Sequence, residues 1–149
     1  MPLSSPSSRS WRSVFIFISW VSSKQVNEDI YFCHGTPKSD LVYLLEDVSK
    51  GYALLRSDEE ILSLLDGQAS NLVCCGHTHL PRAVNLSSGQ MIVNPGSVGL
   101  QAYTDQEPVV HSMENFSHYA SYSIVENIGS KWSVQNIRVP YQGKSVNAF

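Results

Sequence analysis

Three histidines occupy loops that directly follow short apolar runs of the chain. His34 follows the run of residues 29–33, and His77 and His79 follow the run of residues 71–75. Loops at the ends of buried strands are where a rigid sheet positions functional groups. Because a neutral imidazole is a good ligand for transition metals, these three residues predict a metal site. By contrast, His111 and His118 lie in an unpatterned segment, and we interpret them as residues without a ligand role.

The spacing of His77 and His79 adds a geometric condition. Side chains two residues apart point to the same side of an extended chain, whereas on a helix they diverge by roughly 200°. We therefore predict an extended loop. In a centre with two metals roughly 3.5–4 Å apart, two histidines at this spacing can each hold a different ion. Gly76, just before them, leaves room for a close backbone approach.

The cysteines offer a rival site, since thiolate and imidazole together suit Zn²⁺. Cys74 and Cys75 are adjacent, however, and neighbours on a strand point to opposite faces, so both cannot face one ion. We interpret them as buried thiols of a reducing compartment, which predicts a cytoplasmic protein.

The elements that carry these loops are predicted from apolar patterns. Residues 29–33 and 71–75 are typical of buried strands, and we expect them to be neighbours in one sheet. Between them, Ser57 and Glu60 form a capping box for a helix that ends near Gly67. A further helix is predicted by the i, i+3, i+4, i+7 spacing of Leu41, Leu44, Leu45 and Val48, with Gly51 after it.

The rest of the chain is predicted to be β-rich. The predicted strands cover residues 82–86, 91–93, 119–125 and 132–139, with turns at Gly89 and Gly129. Residues 100–118 show no clear periodicity and predict a long surface loop. This order of elements predicts an α/β layer whose strands end in site-building loops, followed by β hairpins.

The N-terminal residues and the composition limit the possible number of domains and the possible partners of the protein. Residues 1–13 are Ser-rich and predict disorder, while the apolar run of residues 14–21 is too short to cross a membrane and lacks a clean cleavage site. The 149 residues, 42% of them hydrophobic, suit one globular domain. A net charge of -3 with scattered basic residues gives no electrostatic support for nucleic-acid binding.

Three motifs, in this order, resemble the last three signatures of the calcineurin-like metallophosphoesterases: His34-Gly35-Thr36-Pro37, Gly76-His77-Thr78-His79 and Asn94-Pro95-Gly96-Ser97-Val98-Gly99. A lone Gly-His-x-His motif is weak, but three motifs in register are specific. The chain is most similar to the small bacterial phosphodiesterase-like or diadenosine-tetraphosphatase-like subgroup. The resemblance covers most of the chain after Asn27.

The resemblance implies a fold and a ligand set. Residues 27–149 would be the C-terminal half of the metallophosphoesterase α/β sandwich, and residues 1–26 would be disordered or foreign to the family. His34 and His77 would bind one metal ion and His79 a second, the ions being Mn²⁺, Fe or Zn²⁺. The supporting turn residues would be Gly35, Gly76, Asn94 and Gly96. No catalytic residue is assigned.

The family also carries an early Asp-x-His, a Gly-Asp-x-x-Asp and a Gly-Asn-His-Asp, and none of these occurs here. Asp29, Asp40 and Asp47 offer no replacement by their positions, and two neighbouring dications need anionic ligands between them.

Three functional hypotheses follow. The first is a metal-dependent phosphomonoesterase or phosphodiesterase in which water attacks phosphorus at a dinuclear site, acting on a small phosphoester with no nucleic-acid or membrane partner. The alternative is a truncated, non-catalytic fragment, or a half-domain that requires a complementing chain, such as an N-terminal half. A small β-rich interaction module is the third.

Overall fold

The computed structural model describes residues 12–15 and 22–140. Within these ranges the chain contains one α-helix, α1 (Asp58–Leu65). The other regular elements described are strands: β1 (Arg12–Phe15), β2 (Ser23–Gln25), β3 (Ile30–Cys33), β4 (Glu46–Asp47), β5 (Leu54–Leu55), β6 (Leu72–Cys74), β7 (Arg82–Asn85), β8 (Met91–Asn94), β9 (Ala102–Asp105), β10 (His111–Glu114), β11 (Ala120–Ile128) and β12 (Lys131–Val139). The fold is a mixed β structure with little helix.

The central sheet has five strands in the order β2-β3-β6-β8-β7. Its three inner strands are parallel, with Ile30 opposite Leu72 and Leu72 opposite Met91, while the two outer strands are antiparallel to their neighbours. The predicted neighbouring strands are therefore confirmed. Parallel strands end at the same edge of a sheet, so the loops that follow β3, β6 and β8 share one edge.

One face of the central sheet is covered by α1. Ile61 and Leu65 of the helix pack with Val73 and Ile92 of the sheet in one apolar cluster. The predicted capping box is present, because the Ser57 hydroxyl accepts from the Glu60 N–H and the Glu60 carboxylate accepts from the Ser57 N–H at 2.8 Å. This helix start is confirmed.

The opposite face is covered by a three-stranded sheet in the order β1-β11-β12. Val125 of β11 is buried against Leu72 and Val93, and Trp132 and Val134 of β12 pack on the same cluster. The central strands are thus buried on both faces, as their uninterrupted apolar runs predict.

The helix predicted over residues 41–48 is wrong. This segment is irregular and contains only β4, which pairs with β5. Residues 43–46 are all buried, whereas Leu41 is 82% exposed. Four consecutive buried residues cannot lie on one helical stripe, so tertiary packing on several sides overrides the apparent helical spacing.

The surface loop predicted over residues 100–118 is also wrong, because β9 and β10 form an antiparallel hairpin there with His111 opposite Asp105. His111 and Met113 are buried and alternate with exposed Ser112 and Glu114. The alternation spans only four residues, which is too short to separate from chance in the sequence.

The N-terminal expectations are tested only in part. Arg12 and Ser13 lie in β1, which pairs with β11, so disorder is wrong for these two residues. Residues 1–11, and those of the apolar run after Phe15, lie outside the described residues. The domain boundary at residue 26 stays a prediction. Within the described ranges, no helix is long and apolar enough to span a membrane.

Candidate metal site

The two histidine-bearing loops meet at the shared edge of the central sheet. His34 directly follows β3, and the loop of residues 76–79 follows β6 after Cys75. The Gly76 N–H donates a hydrogen bond of 2.8 Å to the His34 carbonyl, which ties the loops together. The rings of His34 and His77 have their centroids 4.8 Å apart. The predicted proximity of these two histidines is confirmed.

The loop of residues 76–79 has an unusual backbone. His77 and His79 have φ of 62° and 60°, in the left-handed region, where a residue with a side chain costs about 1–2 kcal/mol. The predicted extended loop is therefore wrong. The Thr78 N–H turns back to the Gly76 carbonyl at 2.7 Å. Such strain persists only where neighbouring groups fix the chain, and it is typical of functional sites.

The turn after β8 is one such neighbour. The fully buried Asn94 donates from its side-chain amide to the Gly76 carbonyl and the Thr78 hydroxyl, both at 2.9 Å, and accepts from the Gly96 N–H. Gly96 has a φ of 84°, and a Cβ there would collide with the Ser121 side chain. Asn94 thereby braces the histidine loop at two points.

The second neighbour is a buried carboxylate that no pattern in the sequence indicated. Glu46 is fully buried and accepts from Arg82 Nε at 2.7 Å. Burial raises the pKa of Glu46, and the approach of the Thr78 hydroxyl and of Arg82 offsets part of that rise, although its Oε2 has no hydrogen bond of good geometry. Only the long-range pairing with Arg82 distinguishes Glu46 from an ordinary surface glutamate, and no local pattern shows it.

The histidines of the loop are held in their neutral form. Burial, followed by the nearby His34, lowers the pKa of His77 to about 4, and a hydrogen bond between its ring and the Leu41 backbone opposes this shift. Burial likewise lowers the pKa of His79. His79 Nδ1 lies 2.9 Å from the Leu100 carbonyl, which can only accept, so Nδ1 carries the proton and Nε2 keeps its lone pair.

The donor set suits a metal, but only in part. His34 Nδ1 is buried and has no hydrogen-bond partner among the described residues, as suits a nitrogen kept for a ligand. Nevertheless, no group of three or more His, Cys, Asp or Glu in the described part of the chain could hold an ion together. Asp29 bonds Asn71 and Asp47 bonds Ser49 instead. Among the described residues, His34 and His77 are brought together, and no carboxylate joins them in such a group.

A family model for the calcineurin-like phosphoesterase superfamily domain matches residues 19–115, which include all three motifs. The chain belongs to the calcineurin-like phosphoesterase superfamily. Comparison with curated proteins gives no match. The family match agrees with the order of the motifs along the chain and with the sheet edge at which they meet.

Two solved structures are similar to this chain, and the first shows the same fold. A metallophosphoesterase from Sphaerobacter thermophilus matches with a TM-score of 0.51 and 23% identity over 83% of this chain and 49% of that chain. A predicted phosphoesterase from Streptococcus pneumoniae matches with a TM-score of 0.49 and 16% identity, over 83% and 57%. The chain therefore spans about half the length of these structures.

Proposed function

We propose that this phosphoesterase domain supplies the histidine side of a metal-dependent phosphoester hydrolase. His34 and His77 would hold one ion and His79 a second, from among Mn²⁺, Fe and Zn²⁺. The observation that carries the proposal is geometric: the rings of His34 and His77 lie 4.8 Å apart at the shared sheet edge, and His79 Nδ1 lies 2.9 Å from the Leu100 carbonyl. Metal-binding histidines typically donate their second ring N–H in this way, which fixes the ring and its tautomer.

The chemistry divides between the ions and the protein. Bound metals would activate water and stabilise the charge that develops on a phosphoester. The chain itself orients the imidazoles: Asn94 and Glu46 hold Thr78, and the Leu100 carbonyl holds His79. No described residue is assigned an acid or base role. We further propose that the substrate is a small phosphoester, such as a phosphodiester, and that the protein is cytoplasmic.

The proposed centre is incomplete within this chain. Two dications held by neutral imidazoles alone would repel each other, and no carboxylate of the described residues joins the histidines in a group that could offset this repulsion. Residues 27–149 would then act as the C-terminal half of the family's α/β sandwich, with weak activity alone. The alternative function is a truncated, non-catalytic fragment or a half-domain that needs a complementing chain, and it is supported by the finding that no three His, Cys, Asp or Glu side chains of the described residues could hold an ion together. Coding sequence upstream that contains Asp-x-His and Gly-Asn-His-Asp would identify the missing half.

The decisive experiment measures Mn²⁺ bound per chain after dialysis, together with hydrolysis of a chromogenic phosphodiester. We expect fewer than two ions and a slow rate in the unaltered chain, and loss of the bound ion in His77→Ala. His118→Ala is the matched control, because this exposed histidine lies outside the site, and it should bind Mn²⁺ as before.

Two results would count against the proposal. Mn²⁺ binding that does not depend on His77 would remove the metal site. Two tightly held ions with rapid turnover that His77→Ala abolishes would instead show a complete centre.

A further inference from the structure

A relay of hydrogen bonds, formed by the side chains of His111, Tyr43 and Tyr103, leads from the β9–β10 hairpin to the histidine loop. His111 Nδ1 lies 2.7 Å from the Val109 carbonyl, and its Nε2 lies 3.0 Å from the Tyr43 hydroxyl. The Tyr43 hydroxyl lies 3.2 Å from that of Tyr103, which is 3.0 Å from the His77 carbonyl. No pattern in the sequence assigned a role to His111, yet these hydrogen bonds connect it to the left-handed backbone of His77.

The side chains of this relay are packed closely. His111 is 2% exposed and Tyr43 4% exposed. The Tyr43 ring contacts the rings of both His77 and His111, with centroids 4.5 Å and 5.5 Å away. Because His111 and Tyr43 are shielded from solvent, the protons for the links must come mainly from the three side chains themselves, since the two backbone carbonyls can only accept.

When His111 is neutral, the relay has one proton fewer than it has hydrogen bonds to make. The Val109 carbonyl can only accept, so Nδ1 of His111 carries the ring proton and Nε2 must accept from Tyr43. The Tyr43 oxygen can then only accept from Tyr103. Tyr103 has one hydroxyl proton for two acceptors, the Tyr43 oxygen and the His77 carbonyl.

When His111 is protonated, the hydrogen bonds of the relay are donated in the opposite direction. Nε2 then donates to Tyr43, Tyr43 donates to Tyr103, and the proton of Tyr103 is left for the His77 carbonyl alone. Every link now has its own proton, and the bond to the carbonyl of the left-handed His77 is at its strongest.

We propose that His111 is a positioning residue that fixes the His77 carbonyl through Tyr43 and Tyr103, and that its protonation tightens this hold. The groups facing the relay are Asp105, directly opposite His111 on β9, and Glu46, whose charge acts on both tyrosines. The effect on metal binding rests on the proposed function, whereas the effect on the loop does not.

The test follows two signals of the metal-free protein by NMR as the pH is varied. One is the His111 ring Cε1–H. The other is the Thr78 amide nitrogen, which shares a peptide group with the His77 carbonyl and so reports its hydrogen bonding. We expect the Thr78 signal to show a step at the midpoint of the His111 titration, separate from any step of His77 itself.

Variants separate the relay from general structure. In Tyr103→Phe the ring packing remains, His111 should still titrate, and the Thr78 signal should lose its step. His111→Gln should lose the step as well, because glutamine does not titrate. Tyr119→Phe is the control, since Tyr119 is exposed, and it should behave like the unaltered chain. A Thr78 signal that ignores His111, or a step that survives in Tyr103→Phe, would overturn the inference.

A second measurement links the relay to the site. Tyr103→Phe should weaken Mn²⁺ binding about tenfold, the lower end of the effect of removing a residue that supports a metal ligand, and unchanged affinity would refute the positioning role. If the unaltered chain binds no Mn²⁺, the proposed function fails, and the NMR result alone decides the inference.

Discussion

The loops after β3 and β6 place their histidines by different physical means. The loop after β3 turns at Gly35, where a Cβ would collide with the carbonyl oxygens of Val42 and Ser39. The loop after β6 instead keeps His77 and His79 in left-handed conformations under a net of buried hydrogen bonds. One histidine is placed by close packing, and the other two are placed by polar contacts that offset backbone strain.

This difference teaches which changes each loop can tolerate. Packing against backbone atoms leaves no freedom to relax, so an added methyl group at the first loop should disrupt the fold. Hydrogen bonds can be removed one at a time, so changes at the second loop should alter its geometry before they unfold the chain. Variants of the two loops should therefore differ in the size of their effect on stability.

Gly35→Ala should have the largest effect. The added methyl group meets fixed carbonyl oxygens, so we expect the free energy of unfolding in urea to fall by about 3 kcal/mol or more. Gly67→Ala is the control: its φ is 81° but its Cβ would enter open space, so it should cost only about 1–2 kcal/mol of backbone strain. Equal losses in the two variants would remove the steric explanation for the first loop.

Asn94→Ala should have the next largest effect. It removes the amide donor of the buried Thr78 hydroxyl and one of two donors to the partly buried Gly76 carbonyl, and we expect a loss of about 2 kcal/mol in the free energy of unfolding. Hydrogen exchange of the Thr78 amide should accelerate as well. Asn85→Ala, at an exposed position of β7, should change stability by less than about 0.5 kcal/mol. If Asn94→Ala behaves like this control, the polar bracing is unimportant.

Acid should weaken the metal-free protein through His77. Its pKa is lowered from 6.5 to about 4 by burial first of all, so the folded state binds fewer protons than the unfolded state between these values. Stability from this group is present above about pH 6.5 and is lost as the pH falls towards 4. Unfolding in urea at pH 7, 5.5 and 4 should show a steeper decline for the unaltered chain than for His77→Ala. Parallel declines would contradict the assigned cause.

His77→Gly should have the smallest effect on stability. It removes about 1–2 kcal/mol of backbone strain but also the ring contacts with His34 and Tyr43, so the net change should lie within about 1 kcal/mol. Mn²⁺ binding should nevertheless be lost. Phe116→Gly is the control, because Phe116 also has a positive φ and is 87% exposed, and it should leave Mn²⁺ binding intact. A large loss of stability in His77→Gly would mean that ring packing, not polar bracing, holds the loop.

Local signals in the sequence predicted the parts of the fold that local physics determines. The apolar runs of β3 and β6 are buried on both faces. The capping box at the start of α1 forms between residues three apart and does not depend on distant parts of the chain. Since both strands end at the same edge, the meeting of His34 with His77 also followed from the sequence. The metal role of these residues stays a prediction.

Long-range contacts determined what the sequence could not show. Leu44 and Leu45 fit a helical stripe, but their burial comes from the sheet and α1, not from neighbours on a helix of their own. The left-handed backbone of His77 depends on Asn94 and Tyr103, which lie 17 and 26 residues further along the chain. Neither contact leaves a local pattern around Gly76, and so the loop conformation and its bracing were missed.

The three cysteines give the central sheet built-in chemical reporters. Cys33 and Cys75 lie in the cluster beneath α1, whereas Cys74 lies in the cluster beneath the three-stranded sheet. Burial raises the pKa of Cys33 and Cys74 to about 12 and that of Cys75 well above its usual value. Because only an exposed thiolate reacts readily, alkylation of these thiols requires the sheet to open first. The site of labelling therefore identifies which covering layer separates from the strands beneath the histidine loops.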